Sequence, residues 1–273
     1  MSPDAPVSLV VTDLDGTLWH TDDHLAPEVI AAVDRLAAID VPVLVATGRR
    51  LASTRAPLAR VGLAPPAVLL NGALGVDLAT EARFHRAPFP AEQAAAVLAA
   101  ARSQGCEPVV YVDHPHLDAF IGTAPATHPN HVAAFGPAIA TDDLSRVVAE
   151  EVVLGFSMIG VAFATATAVA DAIGDRAETH LDRSIDYPGM ASFTVAPRGQ
   201  SKWDGVLAFC AERDIDPTRV LALADGPNDL ELLDHAAVRL VPAGSHPSAL
   251  ARADHVIPPA TAGGWAAVLD HVG

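Results

Sequence analysis

The sequence predicts an α/β protein in which a parallel sheet is interrupted by a second domain of α+β type. In the first and last thirds of the chain, apolar runs typical of strands alternate with helical runs, and such alternation favours a right-handed parallel sheet. In the middle third the alternation is lost over roughly 115 residues, which is enough for an inserted domain. We therefore predict one domain from residues 1–84 and 199–273 and a second from residues 85–198.

The elements of the outer thirds follow from hydrophobic periodicity and from the residues that begin helices. Proline in the first turn favours a helix that begins at Pro27, and Ser201 is a good N-cap for the helix that contains Lys202. The predicted elements are a strand at 7–12, a polar loop at 18–26, a helix at 27–39, a strand at 41–46, a helix at 51–61 and a strand at 67–70, then a helix at 201–214, a strand at 219–224, a helix at 227–236, a strand at 238–241 and a helix near 264–272.

The middle third combines strands and helices without regular alternation. Its uncharged segment 152–170 is flanked by Glu151 and Asp171, contains glycine, serine and threonine, and has no Lys or Arg anchor, so a buried strand leading into a helix is favoured over a membrane span. The predicted elements are a strand at 83–89, an alanine-rich helix at 90–103, strands at 107–112 and 117–121, a helix at 142–151, the strand and helix of 152–173, and strands at 181–187 and 190–196.

Composition narrows the class of protein. The chain has 273 residues, of which 51% are hydrophobic and 18% charged, so a folded protein with a substantial core is expected. Its 33 acidic against 17 basic residues give a net charge of −16, which disfavours nucleic-acid binding. Cys106 and Cys210 form no disulfide framework, and the N-terminus lacks a secretion signal, so we expect a cytoplasmic protein without a membrane partner.

Polar residues follow several predicted strands at the point where each strand ends. Asp13 and Asp15 follow the first strand, and if they keep its period of two, both carboxylates leave the same side of the chain. Two like charges this close need a cation, a shared proton or a basic partner. A calcium loop of EF-hand type is excluded, because a third ligand before the glycine is missing and position twelve is His24.

The other strand ends supply companions for the two carboxylates. Thr47 precedes Gly48, which would let backbone N–H groups approach an anion. Lys202 stands at a helix N-terminus, where a cation is unfavourable unless an anion binds there. Asp225 and Asp229 follow the strand at 219–224. These positions bring acids, threonine, asparagine and lysine to one edge of the sheet. Such a combination predicts a site for a hard cation and a phosphate group.

These motifs, in this order and context, resemble those of the haloacid dehalogenase superfamily of phosphatases. The motifs are DLDGT from Asp13, ATGR with Thr47, Lys202, and ADGPND with Asp225. Asn71-Gly72-Ala73 and the position of the insert are similar to the Cof-type class IIB branch, whose Rossmann-like core carries an α/β cap that determines substrate specificity. The sequence departs from the family at Ala224, where glycine is usual, and we expect tighter packing there.

The resemblance implies roles for individual residues and a Mg²⁺ cofactor. Asp13 would be the nucleophile that forms an aspartyl phosphate, and Asp15 the general acid and base. Thr47 and Lys202 would hold the phosphoryl oxygens. Mg²⁺ would be bound by Asp13, by the backbone carbonyl of Asp15, by Asp225 and, through water or hydrogen bonds, by Asp229. Further phosphate or substrate contacts are expected at Leu14, Gly48, Arg49, Asn71 and Asn228.

Three functions remain open at this stage. The resemblance implies a magnesium-dependent phosphatase acting on a small phosphorylated metabolite, with a sugar phosphate as one candidate. A phosphomutase of phosphomannomutase type would return the phosphoryl group to a sugar, and a regulator would bind a phosphorylated ligand without catalysis.

Two sets of residues in the cap are interpreted as structural. The first set is interpreted as loop residues rather than as a metal site, and consists of Asp113, His114, His116, His128 and His131. Tyr187 and Met190 are interpreted as packed residues rather than as part of the substrate pocket.

Overall fold

The computed structural model describes residues 7–20, 23–184 and 186–273, which form two compact units. The first unit comprises the chain up to Arg86 together with Ser201–Gly273, and the second comprises Ala87–Gln200. The bounds expected from the sequence lie after residues 84 and 198 rather than after 86 and 200.

The helices and strands follow the chain in three groups. Before the insertion lie β1 (Leu9–Thr12), α1 (Pro27–Ala38), β2 (Val43–Ala46), α2 (Leu51–Arg60), β3 (Pro66–Leu69), β4 (Leu74–Asp77) and β5 (Arg83–Arg86). The second unit contains α3 (Ala91–Ser103), β6 (Val109–Val112), β7 (Ala119–Ile121), α4 (Pro129–Ala133), β8 (Ile139–Thr141), α5 (Leu144–Glu150), β9 (Val153–Val161), α6 (Phe163–Ile173), β10 (Glu178–Arg183) and β11 (Ala191–Ala196). The first unit resumes with α7 (Lys202–Arg213), β12 (Val220–Leu223), α8 (Leu230–His235), β13 (Val238–Pro242), α9 (Pro247–Leu250) and β14 (His255–Ile257).

A single sheet organises the part of the first unit that the structure describes. Its strand order is β14-β13-β12-β1-β2-β3-β4-β5, and the strands from β14 to β3 are parallel. β1 lies inside the sheet, with Thr12 opposite Leu223 of β12 on one side and Val45 of β2 on the other. The chain leaving β1, β2, β3 and β12 therefore arrives at one edge, where open α/β sheets bind their ligands.

The core strands are apolar on both faces because both faces are covered. All four residues of β1 and all four of β12 are buried, as expected for parallel strands between helical layers. Helix α7 packs closely on β3, since a Cβ at Gly205 would lie 2.5 Å from Cγ1 of Val68. The buried sheet thus fixes the helix whose first residue is Lys202.

The second unit has its own core. Its six described strands follow the order β10-β11-β9-β6-β7-β8, antiparallel except for the pair β7 and β8. Helices α3, α5 and α6 contribute Val97, Val147 and Val169 to an apolar cluster with Phe156 and Phe193 of the sheet. The predicted fold class, a parallel α/β core with α+β material in the second unit, is confirmed.

Several elements differ from the sequence-based predictions. Strand β4 was not predicted, whereas the strand expected at 83–89 is present as β5, ends at Arg86 and pairs antiparallel with β4. The predicted helix at 227–236 divides into a 3₁₀ turn at Pro227–Asp229 followed by α8, and the predicted closing helix is a 3₁₀ helix at Gly264–Asp270. The strand expected at 181–187 begins earlier, as β10, and residue 185 of that range lies outside the described residues.

The uncharged segment 152–170 contains strand β9 and most of helix α6. Among the described helices, none combines the length and the apolar character needed to cross a bilayer. In the same unit, the rings of His128 and Tyr187 stack with their centroids 4.1 Å apart beside Gly160, whose φ is +72°. Met190 is partly buried.

Candidate active site

The two carboxylates that follow β1 lie in different environments. Asp13 is buried, and its backbone N–H donates to the carbonyl of Leu223 at 2.9 Å, which extends the pairing of β1 with β12. The Asp15 side chain is 43% exposed. Gly16, at φ +80°, brings the turn close to the end of β12, since a Cβ there would lie 2.3 Å from Oδ2 of Asp225. Glycine is required at this approach because any side chain would collide with that carboxylate.

Lys202 links two buried carboxylates. It is the first residue of α7, behind a capping box formed by Ser201 and Asp204. Its ammonium donates to Oδ1 of Asp13 at 2.7 Å and to Oδ1 of Asp229 at 2.6 Å, and the lysine side chain is 1% exposed. The expected anion at this helix N-terminus is thus supplied by the protein's own side chains.

The cluster around Lys202 carries more negative than positive charge. Burial raises the pKa of Asp13 to about 8, an effect that Lys202 opposes and that Asp229 and Asp225 increase. Burial also raises the pKa of Asp225 to about 6. The pKa of Lys202 is raised as well, because Asp13 and Asp229 outweigh the burial that would lower it. One ammonium therefore neutralises only part of the charge of three carboxylates.

Asp13, Asp225 and Asp229 form a set of ligands suited to a metal ion. One carboxylate oxygen from each lies within 4.8 Å of the others, and Asp13 and Asp229 are buried. Oxygen ligands with excess negative charge match the preference of hard divalent cations. The pKa of Asp13 and of Asp225 is raised first by burial and further by the neighbouring carboxylates, and a bound cation would oppose both effects. The residues present therefore fit a divalent cation.

A second group of side chains surrounds the Asp15 carboxylate. The Arg49 guanidinium donates from Nε to Asp15 Oδ2 at 2.6 Å and from Nη2 to Asp15 Oδ1 at 2.5 Å. Nη2 of Arg49 also donates to Oδ1 of Asp23 at 2.6 Å. The indole Nε1 of Trp19 donates to Asp15 Oδ1 at 3.1 Å, and Cζ of Arg49 lies 5.1 Å from the centroid of the Trp19 ring. In this structure Arg49 therefore binds carboxylates of the protein.

The remaining predicted contacts come from the loops after β2, β3 and β12. Thr47 is buried, and its hydroxyl accepts the backbone N–H of Arg49 at 3.2 Å. Asn71, at φ +54°, donates its backbone N–H to the carbonyl of Thr47 and accepts Nδ2 of Asn228 on its side-chain oxygen at 3.2 Å. A Cβ at Gly48 would lie 3.0 Å from that same oxygen. These contacts connect the three loops beside the acidic cluster.

The sheet thus brings most of the predicted residues together in two groups. Asp13, Lys202, Asp225 and Asp229 form one group, and Asp15 with Arg49 forms the other. Leu14 is buried, and its carbonyl accepts the backbone N–H groups of residues 17–19.

Two residues of the second group, Trp19 and Asp23, were not predicted from the sequence, where they fell in a polar loop. A buried tryptophan needs a partner for its N–H, so Trp19 close to two acids was a usable signal. Asp23 gave no comparable signal.

The fold and site define an α/β protein with a cluster of acidic oxygen ligands where the parallel strands end. Comparison with known proteins gives its family. The sequence profile of the haloacid dehalogenase-like hydrolases matches residues 10–269. The chain belongs to this family, which confirms the resemblance and the predicted class of enzyme, a phosphatase of haloacid dehalogenase type.

Individual relatives agree with this assignment. A phosphoglycolate phosphatase of Methanopyrus kandleri is 24% identical over 250 residues, which cover 92% of this chain and 90% of that protein. A phosphatase of the same superfamily from Bacteroides thetaiotaomicron has a TM-score of 0.79 at 18% identity, over 100% of this chain and 97% of the other. A subclass IIB sugar phosphatase of the superfamily has a TM-score of 0.75 at 20% identity, over 97% and 98% of the two chains. At these identities the solved structures show the shared fold.

Proposed function

We propose that this protein hydrolyses the phosphate monoester of a small metabolite through an aspartyl phosphate on Asp13. The observation that carries the proposal is the buried Lys202, whose ammonium contacts Asp13 and Asp229 beside Asp225. A carboxylate nucleophile next to a fixed cation, with ligands for a second cation, is suited to an anionic phosphoryl group. Such hydrolysis is very slow without catalysis, so covalent, electrostatic and proton-transfer contributions must combine.

Asp13 supplies the attacking oxygen. Lys202 donates to Oδ1, which leaves Oδ2 to form the bond to phosphorus while the bond to the leaving oxygen breaks. The position of the carboxylate is fixed, since Asp13 continues the pairing of β1 with β12 and is buried. Fixed geometry of this kind contributes to the rate by proximity. Lys202 and the hydroxyl of Thr47 would hold phosphoryl oxygens.

Asp15 moves the protons. Its carboxyl group protonates the departing alcohol as the bond between phosphorus and oxygen breaks. It then takes a proton from the water whose oxygen attacks the aspartyl phosphate and releases Asp13. The substrate phosphoryl group offers Arg49 a new anionic partner, which would release Asp15 Oδ2 for this role. A positioned general acid or base typically contributes about 10²–10⁴-fold to the rate.

Asp13, Asp225 and Asp229 would hold a Mg²⁺ ion, with the backbone carbonyl of Asp15 as the further ligand that the resemblance implies. When bound, the ion supplies positive charge that stabilises the phosphoryl oxygens. Asn228 and Asn71, joined by a hydrogen bond, would orient the substrate or Lys202 at the rim of the site, with the backbone of Leu14 and Gly48 as further contacts.

The substrate class is part of the proposal, and the names of two relatives support it. One relative is named for phosphoglycolate and another for sugar phosphates, which are small, polar monoesters. We assign the choice among such substrates to the second unit, Ala87–Gln200. A panel of phosphoglycolate, hexose phosphates, glycerol phosphate and an aryl phosphate covers these possibilities.

Replacing Asp13 with asparagine is expected to remove phosphate release on every substrate of that panel. The amide keeps the size of the side chain but cannot form the acyl phosphate. We expect a fall of about 10³-fold or more, since the nucleophilic pathway is lost. Release of inorganic phosphate with Mg²⁺ measures the effect.

Two results would contradict this function. Phosphate release by the wild-type protein that does not exceed that of Asp13→Asn on any substrate of the panel would exclude a phosphatase that works through Asp13. Phosphorylation of Asp13 that yields isomerised sugar phosphate instead of inorganic phosphate would identify a phosphomutase.

Mg²⁺ is expected to raise the melting temperature of the wild-type protein and not that of Asp225→Asn. An ion that binds only the folded state stabilises the protein by RT ln(1 + c/Kd), where c is the Mg²⁺ concentration, so the melting temperature rises with c. Differential scanning fluorimetry with MgCl₂, against NaCl of equal ionic strength, measures the shift. The same increase in both proteins would place the ion elsewhere.

A further inference from the structure

We propose that Trp19 is a positioning residue for the Asp15 carboxyl group, holding Oδ1 so that Oδ2 carries the proton during catalysis. The proposal rests on the proposed role of Asp15 as general acid and base and adds a residue that acts through it.

The indole of Trp19 makes its hydrogen bond with the Asp15 carboxylate. Its Nε1 donates to Asp15 Oδ1 at 3.1 Å. The two residues also meet through the backbone, because they form an isolated parallel bridge and the N–H of Gly16 donates to the carbonyl of Trp19 at 2.8 Å. The donor and its acceptor are thus held within one short turn.

Trp19 and Arg49 both bind Asp15 but differ in burial and in the number of their acidic partners. The Trp19 side chain is almost fully buried, and its backbone N–H donates to the carbonyl of Leu14. Arg49 is 23% exposed on a long side chain, and its guanidinium divides its bonds between Asp15 and Asp23. Arrival of a phosphoryl group therefore draws Arg49 away more readily than Trp19. The indole N–H is the contact that persists through the reaction.

The consequence for the chemistry concerns the two oxygens of Asp15. Oδ1 accepts both the indole N–H and Nη2 of Arg49, and Oδ2 accepts Nε of Arg49. When Arg49 turns to the phosphoryl group, Oδ1 keeps the indole N–H, so the proton for the leaving group belongs on Oδ2. As the bond from Asp13 to phosphorus forms, the bond to the leaving oxygen breaks, and that oxygen keeps the electron pair and takes the proton from Oδ2. Without the indole N–H, the carboxyl group can rotate and present the wrong oxygen.

The variant Trp19→Phe tests the proposal, because phenylalanine keeps an aromatic ring beside Arg49 and lacks the N–H donor. It also removes part of the buried ring volume, an effect that a second Trp→Phe variant controls for. An alkoxide is a poor leaving group and needs a proton to depart, whereas nitrophenolate departs readily without one. Loss of the positioned proton should therefore slow the alkyl phosphate more than the aryl phosphate. We expect kcat/KM for glycerol phosphate to fall about tenfold and that for p-nitrophenyl phosphate to change by less than about threefold. kcat/KM is used because it reports the steps up to departure of the leaving group.

Two controls separate positioning from general damage. Trp203→Phe changes another buried tryptophan, which stacks on His235 and packs in an apolar cluster of the first unit, and should leave the ratio of the two substrates unchanged. In an Asp15→Asn background, Trp19→Phe should no longer alter that ratio, because the group it positions is absent.

Three results would overturn the role of Trp19. In Trp19→Phe, kcat/KM could fall equally on both substrates or not fall at all. Alternatively, the ratio of the two substrates could change by the same factor in the Asp15→Asn background. Absence of phosphate release from the wild-type protein would instead overturn the proposed function on which it rests. If Trp19→Phe does not fold, the indole ¹H–¹⁵N signals of the three tryptophans decide. One signal should move on Asp15→Asn, and three unmoved signals would refute the contact.

Discussion

Lys202→Met is expected to abolish phosphate release and to lower the stability of the protein by about 3–5 kcal/mol in the absence of divalent cations. The methionine side chain fills much of the same volume but leaves Asp13 and Asp229 buried without their counterion. Removing one partner of a buried ion pair is costly because an uncompensated charge remains in the interior. Activity falls for a separate reason, since the charge that holds the phosphoryl oxygens is lost.

The matched control is Arg213→Met at the other end of the same helix α7. Arg213 is 48% exposed and pairs with Asp77 at 3.2 Å, and an exposed pair of this kind contributes about 0–1 kcal/mol. Urea unfolding in a chelating buffer compares the two variants. Equal losses of stability would show that the Lys202 contacts do not hold the buried acids.

The pH dependence of the Lys202→Met loss gives a second check. The pKa of Asp13 is already raised to about 8 with Lys202 in place, and Lys202 is the group that opposes this rise. In the variant the carboxyl group takes up a proton more readily when folded than when unfolded. The stability of both proteins should increase as the pH is lowered from about 8 towards 4, and the difference between them should shrink as the pH falls towards about 8, because protonation of Asp13 removes the uncompensated charge. A difference that grows towards acid pH would contradict this explanation.

The acidic cluster could be predicted from the sequence because its geometry is set by the sheet. Asp13 directly follows β1 and Asp225 lies two residues beyond the end of β12, and the ends of these neighbouring parallel strands coincide. Lys202 could be predicted because a lysine behind the N-cap of a helix calls for an anion. In both cases local sequence and global topology require the same placement.

The second group at the site could be predicted only in part. Arg49 was expected near phosphate, whereas its bonds to Asp15 and Asp23 depend on a turn whose backbone the sequence does not specify. Asp23 adopts φ +54°, a conformation that no residue pattern in the loop indicated. The contact of Trp19 with Asp15 also depends on this turn. Such contacts arise from the packing of loops, where periodicity carries no information.

Gly72→Ala is expected to destabilise the protein by about 3 kcal/mol or more and to reduce activity beyond what the loss of stability explains. Gly72 has φ +106°, and a Cβ there would lie 2.0 Å from the backbone oxygen of Ser201. A backbone atom cannot rotate away as a side chain can, so the helix start itself must shift. Ser201 is the N-cap of α7, and its displacement moves Lys202 away from Asp13.

Gly62→Ala is the control that separates two effects of Gly72→Ala, the collision of the new Cβ with Ser201 and the strain of alanine at positive φ. Gly62 has φ +76°, and a Cβ there would meet nothing within 4 Å, so alanine suffers only the strain of the left-handed conformation, about 1–2 kcal/mol. Urea unfolding gives the two losses, and kcat well below both melting temperatures gives the activities. Gly62→Ala should keep wild-type kcat while folded Gly72→Ala should not. Equal kcat in the two variants would mean that Lys202 stays in place without the close approach of Gly72 to Ser201. The packing of Gly205 on Val68 would then be sufficient to fix the position of α7.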